Sequence, residues 1–470
     1  MIESMRGRHS WILTAGALAL TVVAGLLLAR LGPEAPLLLI GLAMGGAVAI
    51  FLVQQPFLTL CIALVARMLP DQFRFEPVYS AAGYALVVLA LVAWGLDVLT
   101  RRRRIVVAEV AALFAVYIAW STLTLLWAAD PMKGVRWLGT YVIGLALMSL
   151  IINQVRTLKD IDGLMRVLEF LGWLNILMGL WVMATEGVDF GRRLKVFSAN
   201  ENQYGIFLLL FLPGAIWPVL RAEGSWRSTR MLLSIAYIAT TLMLIALSGS
   251  RGSAISLVLL LLAFWFWQPT RPWARVGVGI LLVMLAAAPM MFHIILNRFE
   301  EHEAVALGGR EILWQASTML INDFAWTGVG AGNGPQALHK YIASLTSYYN
   351  VHNELPGHNP FLEVGIQSGY MGMLLYAAAV GTAVVMFIRS RKRPIMRHGA
   401  MRGYYPLVLA AGFGFAISWV KSGGMENDPS LFLLLALLLI PATIEEVRSP
   451  DLTPRREAGT TGVSAGAPLV

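Results

Sequence analysis

The chain contains continuous runs of apolar residues that recur from its beginning to its end. Most runs are about 17 to 25 residues long, the length that a helix needs to cross roughly 30 Å of hydrocarbon. A transmembrane β-barrel would instead show strands of about ten residues in which apolar and polar side chains alternate. Because backbone polar groups must be satisfied inside the membrane, the runs predict an all-α polytopic membrane protein.

The runs predict 12 to 14 transmembrane helices. Those at 56–69, 252–267 and 430–446 are short for a straight span and are expected to be tilted, kinked or partly re-entrant. The candidate runs lie at 11–31, 36–53, 56–69, 79–99, 105–127, 134–153, 163–185, 203–221, 229–247, 252–267, 273–293, 359–388, 403–420 and 430–446.

Composition and charge agree with a membrane protein. The chain is 58% hydrophobic and 13% charged, whereas a soluble domain carries about 25% charged residues. Its net charge of +9 invites a nucleic-acid partner, but the basic residues are scattered among the loops between the runs, as topology determinants are. We therefore expect membrane lipids as partners, and no nucleic acid.

The basic residues also predict the orientation of the chain. If the spans alternate from a cytoplasmic N-terminus, most lysines and arginines fall inside, as the positive-inside rule requires. Both termini are then cytoplasmic, and the longest hydrophilic stretch faces the periplasm or an equivalent exterior. The predicted organisation is transmembrane helices with short periplasmic loops (1–293), a periplasmic loop domain (294–358), C-terminal transmembrane helices (359–447) and a disordered cytoplasmic tail (448–470).

Two amphipathic helices are expected within the long loop, in GGREILWQASTMLINDF (308–324) and PQALHKYIASLTSYY (335–349). GVGAGNG (328–334), between them, is too rich in glycine to continue a helix. A flexible turn is therefore expected to fold both helices back onto the membrane surface. The predicted apolar faces are Ile312, Leu313, Ala316, Met319 and Leu320 in the first helix, and Ala337, Leu338, Tyr341, Ile342 and Leu345 in the second.

His358 is the candidate catalytic residue. It stands where the chain re-enters the membrane at Pro360, at the height of a lipid head group. Histidine titrates near neutral pH and can take a proton from a hydroxyl group. The alternative is a capping or interface histidine that only hydrogen-bonds the backbone.

Five arginines are predicted to lie outside, against the positive-inside trend: Arg136, Arg192, Arg193, Arg251 and Arg310. Guanidinium groups bind phosphate oxygens bidentately, and several together can hold a pyrophosphate and stabilise it as a leaving group. Arg251 lies in the turn SGSRG (248–252), where a helix end would add backbone N–H groups. Pairing with local carboxylates or lipid phosphates is the alternative interpretation.

Further polar residues near these loops are candidates for binding sugar hydroxyls. They are Asn202, in FSANENQYG (197–205), and Asn359 and Glu363, which follow His358. For FSANENQYG an N-cap role is the alternative.

Neither a metal nor another cofactor is predicted. The DxD pair, Asp160 and Asp162, falls in a predicted cytoplasmic loop and is expected to cap a helix. The acidic run EEHE (300–303) could bind a cation, but a charged cluster at the start of a loop is more often solvated.

Six motifs occur in order: WAADP (127–131), FSANENQYG, SGSRG, GREILW, TGVGAGNG and HNPFLEVGIQSGYMG. Together they resemble the O-antigen ligase and polymerase superfamily of bacterial envelope glycosyltransferases, over roughly Trp127 to Gly372. The resemblance implies an inner-membrane transferase that takes a glycan from undecaprenyl pyrophosphate on the periplasmic face. In the ligase branch the acceptor is the lipid A-core oligosaccharide, the anomeric centre is inverted, and neither metal nor ATP is needed.

The resemblance also implies residue roles. The essential histidine of the superfamily matches His358, and its essential arginines match Arg310 in GREILW and Arg251 in SGSRG. Arg136 and either Arg192 or Arg193 match less securely, because their loops have no fixed spacing.

Three other functions remain as alternatives. A polymerase of the same superfamily would extend an O-antigen or exopolysaccharide with the same chemistry, but the modest exterior loop and the chain length favour a ligase. A protein O-glycosyltransferase usually carries a larger periplasmic part. A lipid-linked-glycan transporter would place ionisable residues near mid-membrane, where the predicted spans of this chain are almost free of charge.

Overall fold

The computed structural model describes residues 35–69, 78–187, 194, 196, 201–221, 229–287, 310–345, 355–397, 401–421 and 428–444. Every regular element within these ranges is a helix, which confirms the all-α prediction. The run at 11–31 and the tail at 448–470 lie outside the described residues.

The helices follow the predicted apolar runs closely. The first eleven are α1 (Ala35–Val53), α2 (Pro56–Met68), α3 (Val78–Arg101), α4 (Glu109–Leu123), α5 (Pro131–Gln154), α6 (Leu158–Glu186), α7 (Glu201–Leu210), α8 (Leu212–Arg221), α9 (Thr229–Ser248), α10 (Arg251–Phe266) and α11 (Arg271–Ala287). The next are α12 (Arg310–Asp323), α13 (Gly334–Leu345), α14 (Pro360–Ser390), α15 (Pro394–Arg397), α16 (Tyr404–Val420) and α17 (Pro429–Thr443).

Among the described residues, seven segments are helical, long and apolar enough to cross a membrane. An eighth is a broken pair, Met44–Val53 with Pro56–Met68, in which the helix axis bends by 116° at the break. Proline disfavours helical backbone in the residue before it, and Gln55 accordingly leaves the helical region at φ −123° and ψ 70°. These helices make the chain a polytopic membrane protein. The exact span count and the orientation stay predictions.

The three runs predicted to be short are short in the structure. Each forms an apolar helix of fewer than 18 residues: α2, α10 and α17. In α17 every residue from Pro429 to Pro441 is buried, as expected for a helix that is apolar on all sides and surrounded by other helices. Close packing allows this, because a Cβ added to Gly144 of α5 would lie 2.1 Å from the Phe432 ring.

Helix α5 connects two opposite ends of the bundle. Its 24 residues correspond to about 36 Å at 1.5 Å per residue. At one end, Asp130 caps the helix by accepting hydrogen bonds from Met132 N and Lys133 N. We call this the His358 end, because His358 lies there too, and the opposite end, where α3 finishes at Arg101, the Arg101 end.

The DxD pair lies at the Arg101 end, where α6 begins. Thr157 and Asp160 form a capping box, in which each side chain accepts from the other residue's backbone N–H. Asp162 accepts from Arg221 Nε at 3.2 Å and from Trp217 Nε1 at 2.8 Å. The prediction that this pair caps a helix is therefore confirmed for Asp160, whereas Asp162 joins α6 to α8.

Helices α12 and α13 form a small apolar cluster of their own. The predicted face residues Leu313, Ala316, Leu320, Leu338 and Ile342 are all buried in it. Met319, also predicted for the face, is 40% exposed. The reason is that the face turns towards Ile366 of α14, which brings Ile321 into the cluster in its place.

Candidate functional site

Helix α14 is broken at Gly369, and the break creates a short helix that starts at the candidate histidine. Gly369 has φ 68° and ψ −172°, a conformation essentially restricted to glycine. The groups exposed by the break find other partners: Trp120 Nε1 donates to Ser368 O at 2.9 Å, and Tyr370 N donates to Ala325 O at 2.7 Å. Residues 360–368 are thereby held apart from the long second part of the helix.

The glycine-rich turn is anchored to this short helix. Val329 N donates to Ile366 O at 2.9 Å, and Gly330 N donates to Gln367 O at 3.1 Å. A Cβ at Gly330, whose φ is +99°, would lie 2.6 Å from the Cα of Ala128. The turn therefore differs from the flexible connection expected from its composition, because its glycines allow close packing between WAADP and α14.

Hydrogen bonds also join the turn to the start of α5. Asp130 N donates to Asn333 Oδ1 at 2.8 Å, and Asn333 Nδ2 donates to Asp130 O at 3.1 Å. Ala331 N donates to Thr124 Oγ1 at 3.0 Å. WAADP and TGVGAGNG thus form one folded unit, and we interpret both motifs as the support on which α12 and α14 are placed.

His358 occupies the turn that leads into α14. Its φ is +52°, an uncommon conformation in which histidine is tolerated better than most residues. Asn359 caps the helix, because its Oδ1 accepts from Phe361 N at 2.9 Å and from Leu362 N at 3.2 Å. Trp314 Nε1 of α12 donates to His358 O at 3.4 Å. The backbone on both sides of the histidine is therefore fixed.

The buried carboxyl group of Glu363 lies directly beneath this turn. Glu363 is 2% exposed, and a Cβ added to Gly357 would lie 3.6 Å from its Oε1 and 2.8 Å from Ser317 Oγ. A carboxylate in the first turn of a helix is stabilised by the helix dipole. Asn359 and Glu363 were both predicted to bind sugar hydroxyls, and the structure places both beside His358.

Arg310, the first residue of α12, sets the electrostatic surroundings of His358. Burial lowers the pKa of the imidazole, and the positive charge of Arg310 lowers it further, to about 4. Both effects disfavour the charged form of a histidine. The imidazole is therefore neutral at neutral pH and has a lone pair available to accept a proton.

Two further cationic side chains, Lys421 and Arg251, lie near Arg310. Burial lowers the pKa of the Lys421 ammonium group, and the charges of Arg310 and Arg251 lower it further. Arg310 is the first residue of α12, Arg251 is the first residue of α10, and Lys421 caps the C-terminal end of α16. We call Arg251, Arg310, Lys421 and His358 the cation cluster.

Packing among α10, α14 and α16 brings the cluster together. Ser256 Oγ of α10 and Ser418 Oγ of α16 lie 3.2 Å apart, which holds the start of one helix against the end of the other. The ring centroids of Phe361 and Trp419 are 5.4 Å apart. Because these aromatic residues are close in sequence to His358 and Lys421, the contact also places the histidine turn beside the end of α16.

Asn202 lies at the same end of the bundle. A Cβ added to Gly205 would lie 2.2 Å from Ser253 Oγ, so the first turns of α7 and α10 are in contact. Gln203 Nε2 donates to Asp428 Oδ2 at 3.3 Å, and Asp428 caps α17 by accepting from Ser430 N. The described part of FSANENQYG therefore borders the start of the helix that carries Arg251.

Arg136 is not brought into the cluster. Arg136 lies on an exposed part of α5, and its charge contributes to neither pKa shift in the cluster. Arg192, Arg193 and EEHE (300–303) lie outside the described residues.

Lys421 is the member of the cluster that the sequence interpretation missed. It lies between the runs at 403–420 and 430–446, a stretch that the alternating topology places outside, where a basic residue opposes the positive-inside trend as the five arginines do. The predicted exterior position of Lys421 is therefore a signal that the sequence itself carries. Lysine is also an established phosphate binder, acting as a point charge.

The cluster is suited to a multiply charged anion next to a hydroxyl group. Helices α10 and α12 begin at the cluster with Arg251 and Arg310, so the positive ends of their dipoles add to the side-chain charges. The neutral imidazole supplies a base beside them.

These features define an all-α polytopic membrane protein with a cationic site at one end of its helical bundle. Residues 236–377 match the O-antigen ligase family, which confirms the superfamily resemblance over that segment. The match implies a glycosyltransferase-like enzyme of the ligase or polymerase kind, acting on a lipid-linked glycan at a membrane. Arg251, Arg310 and His358 fall inside it, whereas Lys421 and Arg136 fall outside. No curated protein matches the chain.

Proposed function

We propose that this protein is an O-antigen ligase, an inverting and metal-independent glycosyltransferase. It would move O-antigen polysaccharide from undecaprenyl pyrophosphate to the lipid A-core oligosaccharide on the periplasmic face of the inner membrane. The observation that carries the proposal is the cation cluster, in which Arg310 acts on both His358 and Lys421 and Arg251 acts on Lys421. Most of the cluster lies within the segment that matches the O-antigen ligase family.

His358 would act as the general base. A hydroxyl oxygen of the acceptor sugar attacks the anomeric carbon of the donor, and the hydroxyl proton passes to the imidazole. The lowered pKa of His358 keeps the imidazole neutral before the donor binds. An anionic pyrophosphate beside Arg310 would offset the positive field and raise the pKa of His358 towards the range in which a general base is effective.

Arg251, Arg310 and Lys421 would bind the departing pyrophosphate. The bond between the anomeric carbon and the phosphate oxygen breaks as the new glycosidic bond forms, so negative charge develops on the leaving oxygen. Cations fixed in place before the reaction stabilise that charge without reorganising. Attack from the side opposite the leaving group inverts the anomeric centre.

The direct test is the lipopolysaccharide banding pattern of a host deleted for this gene and complemented with variants. Wild type should restore the ladder, and His358→Gln should not, because general-base catalysis contributes about 10²–10⁴-fold. His339→Gln is the matched control, since His339 is a histidine on α13 and no role in the reaction is assigned to it. Membrane levels of each variant are compared by immunoblotting.

Each outcome separates one function from another. Loss of the whole ladder on deletion, with lipid-carrier-linked polymer accumulating, supports a ligase. Lipid A-core carrying a single repeat unit would instead identify a polymerase. An unchanged ladder would contradict both, and full activity of His358→Gln would contradict the role of the histidine.

A further inference from the structure

A cleft of about 670 Å³ opens at the Arg101 end of the bundle, where no part of the proposed reaction takes place. It lies where the α1–α2 bend meets the ends of α3 and α5 and the start of α6. The charged residues of its walls are Arg101, Arg103, Arg104, Arg156, Asp97 and Asp160. Four guanidinium groups thus face two carboxylates.

Both carboxylates already have partners in the fold. Asp160 Oδ2 accepts from the Thr157 N–H at 2.9 Å and from its hydroxyl at 2.7 Å. Asp97 contacts Arg101 Nε at 2.9 Å and Arg103 Nε at 3.0 Å. A guanidinium group has further N–H donors on its terminal nitrogens, so the walls keep both excess positive charge and donor capacity.

The arginines are held in place by the local backbone. Arg103 N donates to Val98 O at 3.3 Å, and Arg102 has φ +50°, so α3 ends in the type of turn that usually contains glycine at this position. At the opposite wall, the guanidinium group of Arg156 donates to Asn153 O at 2.8 Å and also to Arg104 O. These contacts fix the start of α6 to the end of the arginine run.

Gln154 indicates that the cleft is built for a ligand. It lines the cleft and is only 8% exposed. Neither its Nε2 nor its Oε1 makes a hydrogen bond to any part of the chain that the structure describes. An amide buried without partners is costly and rare in folded proteins. A ligand that offers both an acceptor and a hydroxyl donor would satisfy it.

We propose that this cleft binds a phosphate group with a hydroxyl-bearing substituent, supplied by the head group of an anionic phospholipid. Guanidinium groups match phosphate oxygens, and Gln154 would pair with the hydroxyl-bearing part. The cleft lies at the ends of apolar helices, and basic pockets between transmembrane helices bind such lipids. It lies outside residues 236–377 and does not depend on the proposed glycan transfer.

The test compares thermal unfolding of the purified full-length protein in detergent with added phosphatidylglycerol, phosphatidylcholine or inorganic phosphate. Phosphatidylglycerol should raise the midpoint of wild type, since a ligand that binds only the folded state stabilises it. Arg103→Gln should weaken this binding about tenfold or more, the effect of losing one charge-assisted hydrogen bond. Arg102→Gln is the matched control, because it removes the same charge from the same run but not from the wall of the cleft.

A second variant separates a ligand-binding role of Gln154 from a structural one. Gln154→Leu should abolish stabilisation by phosphatidylglycerol and leave the ligand-free protein at least as stable as wild type. A fall in ligand-free stability with lipid binding intact would contradict the proposal.

The measurements with inorganic phosphate and phosphatidylcholine decide the source of the phosphate group. Stabilisation by inorganic phosphate, without any effect of phosphatidylglycerol, would overturn the lipid assignment and indicate a soluble phosphate compound. Equal weakening by Arg102→Gln and Arg103→Gln would show a general charge effect and would overturn the cleft site. Equal stabilisation by phosphatidylcholine would overturn it as well.

Discussion

Arginines lie at both ends of the bundle, but the charged groups next to them differ between the two ends. At the Arg101 end, Asp97 lies within 3.0 Å of Nε atoms of both Arg101 and Arg103. At the His358 end, Arg310 instead acts on other basic groups and lowers the pKa of both His358 and Lys421. At the Arg101 end, the Asp97 carboxylate pairs with two of the arginines. At the His358 end, the cations act on one another, although the buried carboxyl group of Glu363 lies beneath the histidine turn.

This difference indicates two uses of the same residue type. Cations that lower each other's pKa destabilise the unliganded protein, and a bound anion relieves that repulsion. Such an arrangement suits a site that must stabilise charge as it develops. Arginines that share carboxylates can fix helix ends and bind a resident ligand, but their net field is weaker.

The largest effect is expected from removing a cation at the His358 end. Arg310→Gln and Arg251→Gln should each reduce glycan transfer by about 10²–10³-fold, the usual cost of losing one preorganised group that stabilises developing charge. Turnover is measured with purified donor and acceptor. Arg102→Gln at the opposite end should stay within about twofold of wild type, and a comparable loss there would remove the distinction between the ends.

A large loss of stability is expected where the backbone forms the His358 end. Gly369→Ala would place a Cβ 2.4 Å from the Trp326 backbone at φ +68°, and backbone strain alone costs about 1–3 kcal/mol. Gly381→Ala is the control on the same helix, because a Cβ there meets nothing within 4 Å. It should be neutral or stabilising by about 0.5–1 kcal/mol. Equal thermal midpoints for the two variants would show that the break in α14 is not needed.

The pH dependence of transfer should reveal the field of Arg310. A base with a pKa of about 4 loses activity only when the pH falls to that range, so kcat/KM should stay level to lower pH than an ordinary histidine allows. Arg310→Gln removes a charge that disfavours imidazolium, which should raise the pKa and move the acidic limb upwards. Arg310→Lys keeps the charge and should keep the limb low. An unmoved limb in Arg310→Gln would mean that burial alone lowers the pKa.

The smallest effect is expected from Asp97→Asn at the Arg101 end. The Asp97 side chain is only 8% exposed, but those of Arg101 and Arg103 are 63% and 40% exposed, and ion pairs with exposed partners contribute about 1 kcal/mol or less. The thermal midpoint should therefore fall only slightly, and less at high salt, which screens such pairs. A loss comparable to that of Gly369→Ala would show that Asp97 organises this end of the bundle.

Local properties of the chain were predictable because they depend on neighbouring residues. Asp160 was expected to cap a helix and does so through its capping box with Thr157. Leu313, Ala316 and Leu320 were expected on the buried face of α12 and lie there. Met319 was also expected on that face but is exposed, because helical spacing predicts the width of an apolar face but not the direction of the helix it packs against.

The break in α14 at Gly369 and the defined conformation of GVGAGNG could not be predicted from neighbouring residues. Glycine permits an unusual φ without requiring it, so a glycine in an apolar run is equally consistent with a straight helix. Here the surrounding backbone decides the conformation, through the hydrogen bond from Tyr370 N to Ala325 O and that from Gly330 N to Gln367 O.

The sequence by itself determined that this chain forms membrane-spanning helices, because lipid requires long apolar segments that satisfy their own backbone hydrogen bonds. It also determined, through its motifs, the superfamily to which the matched segment is similar. Only the tertiary structure decided that Arg310 lies close enough to act on both His358 and Lys421 and that Arg251 acts on Lys421, while Arg136 stays on an exposed surface. The reason is that these residues come from different helices, whose neighbours are set by side-chain contacts distant in sequence, such as Ser256 with Ser418 and Phe361 with Trp419.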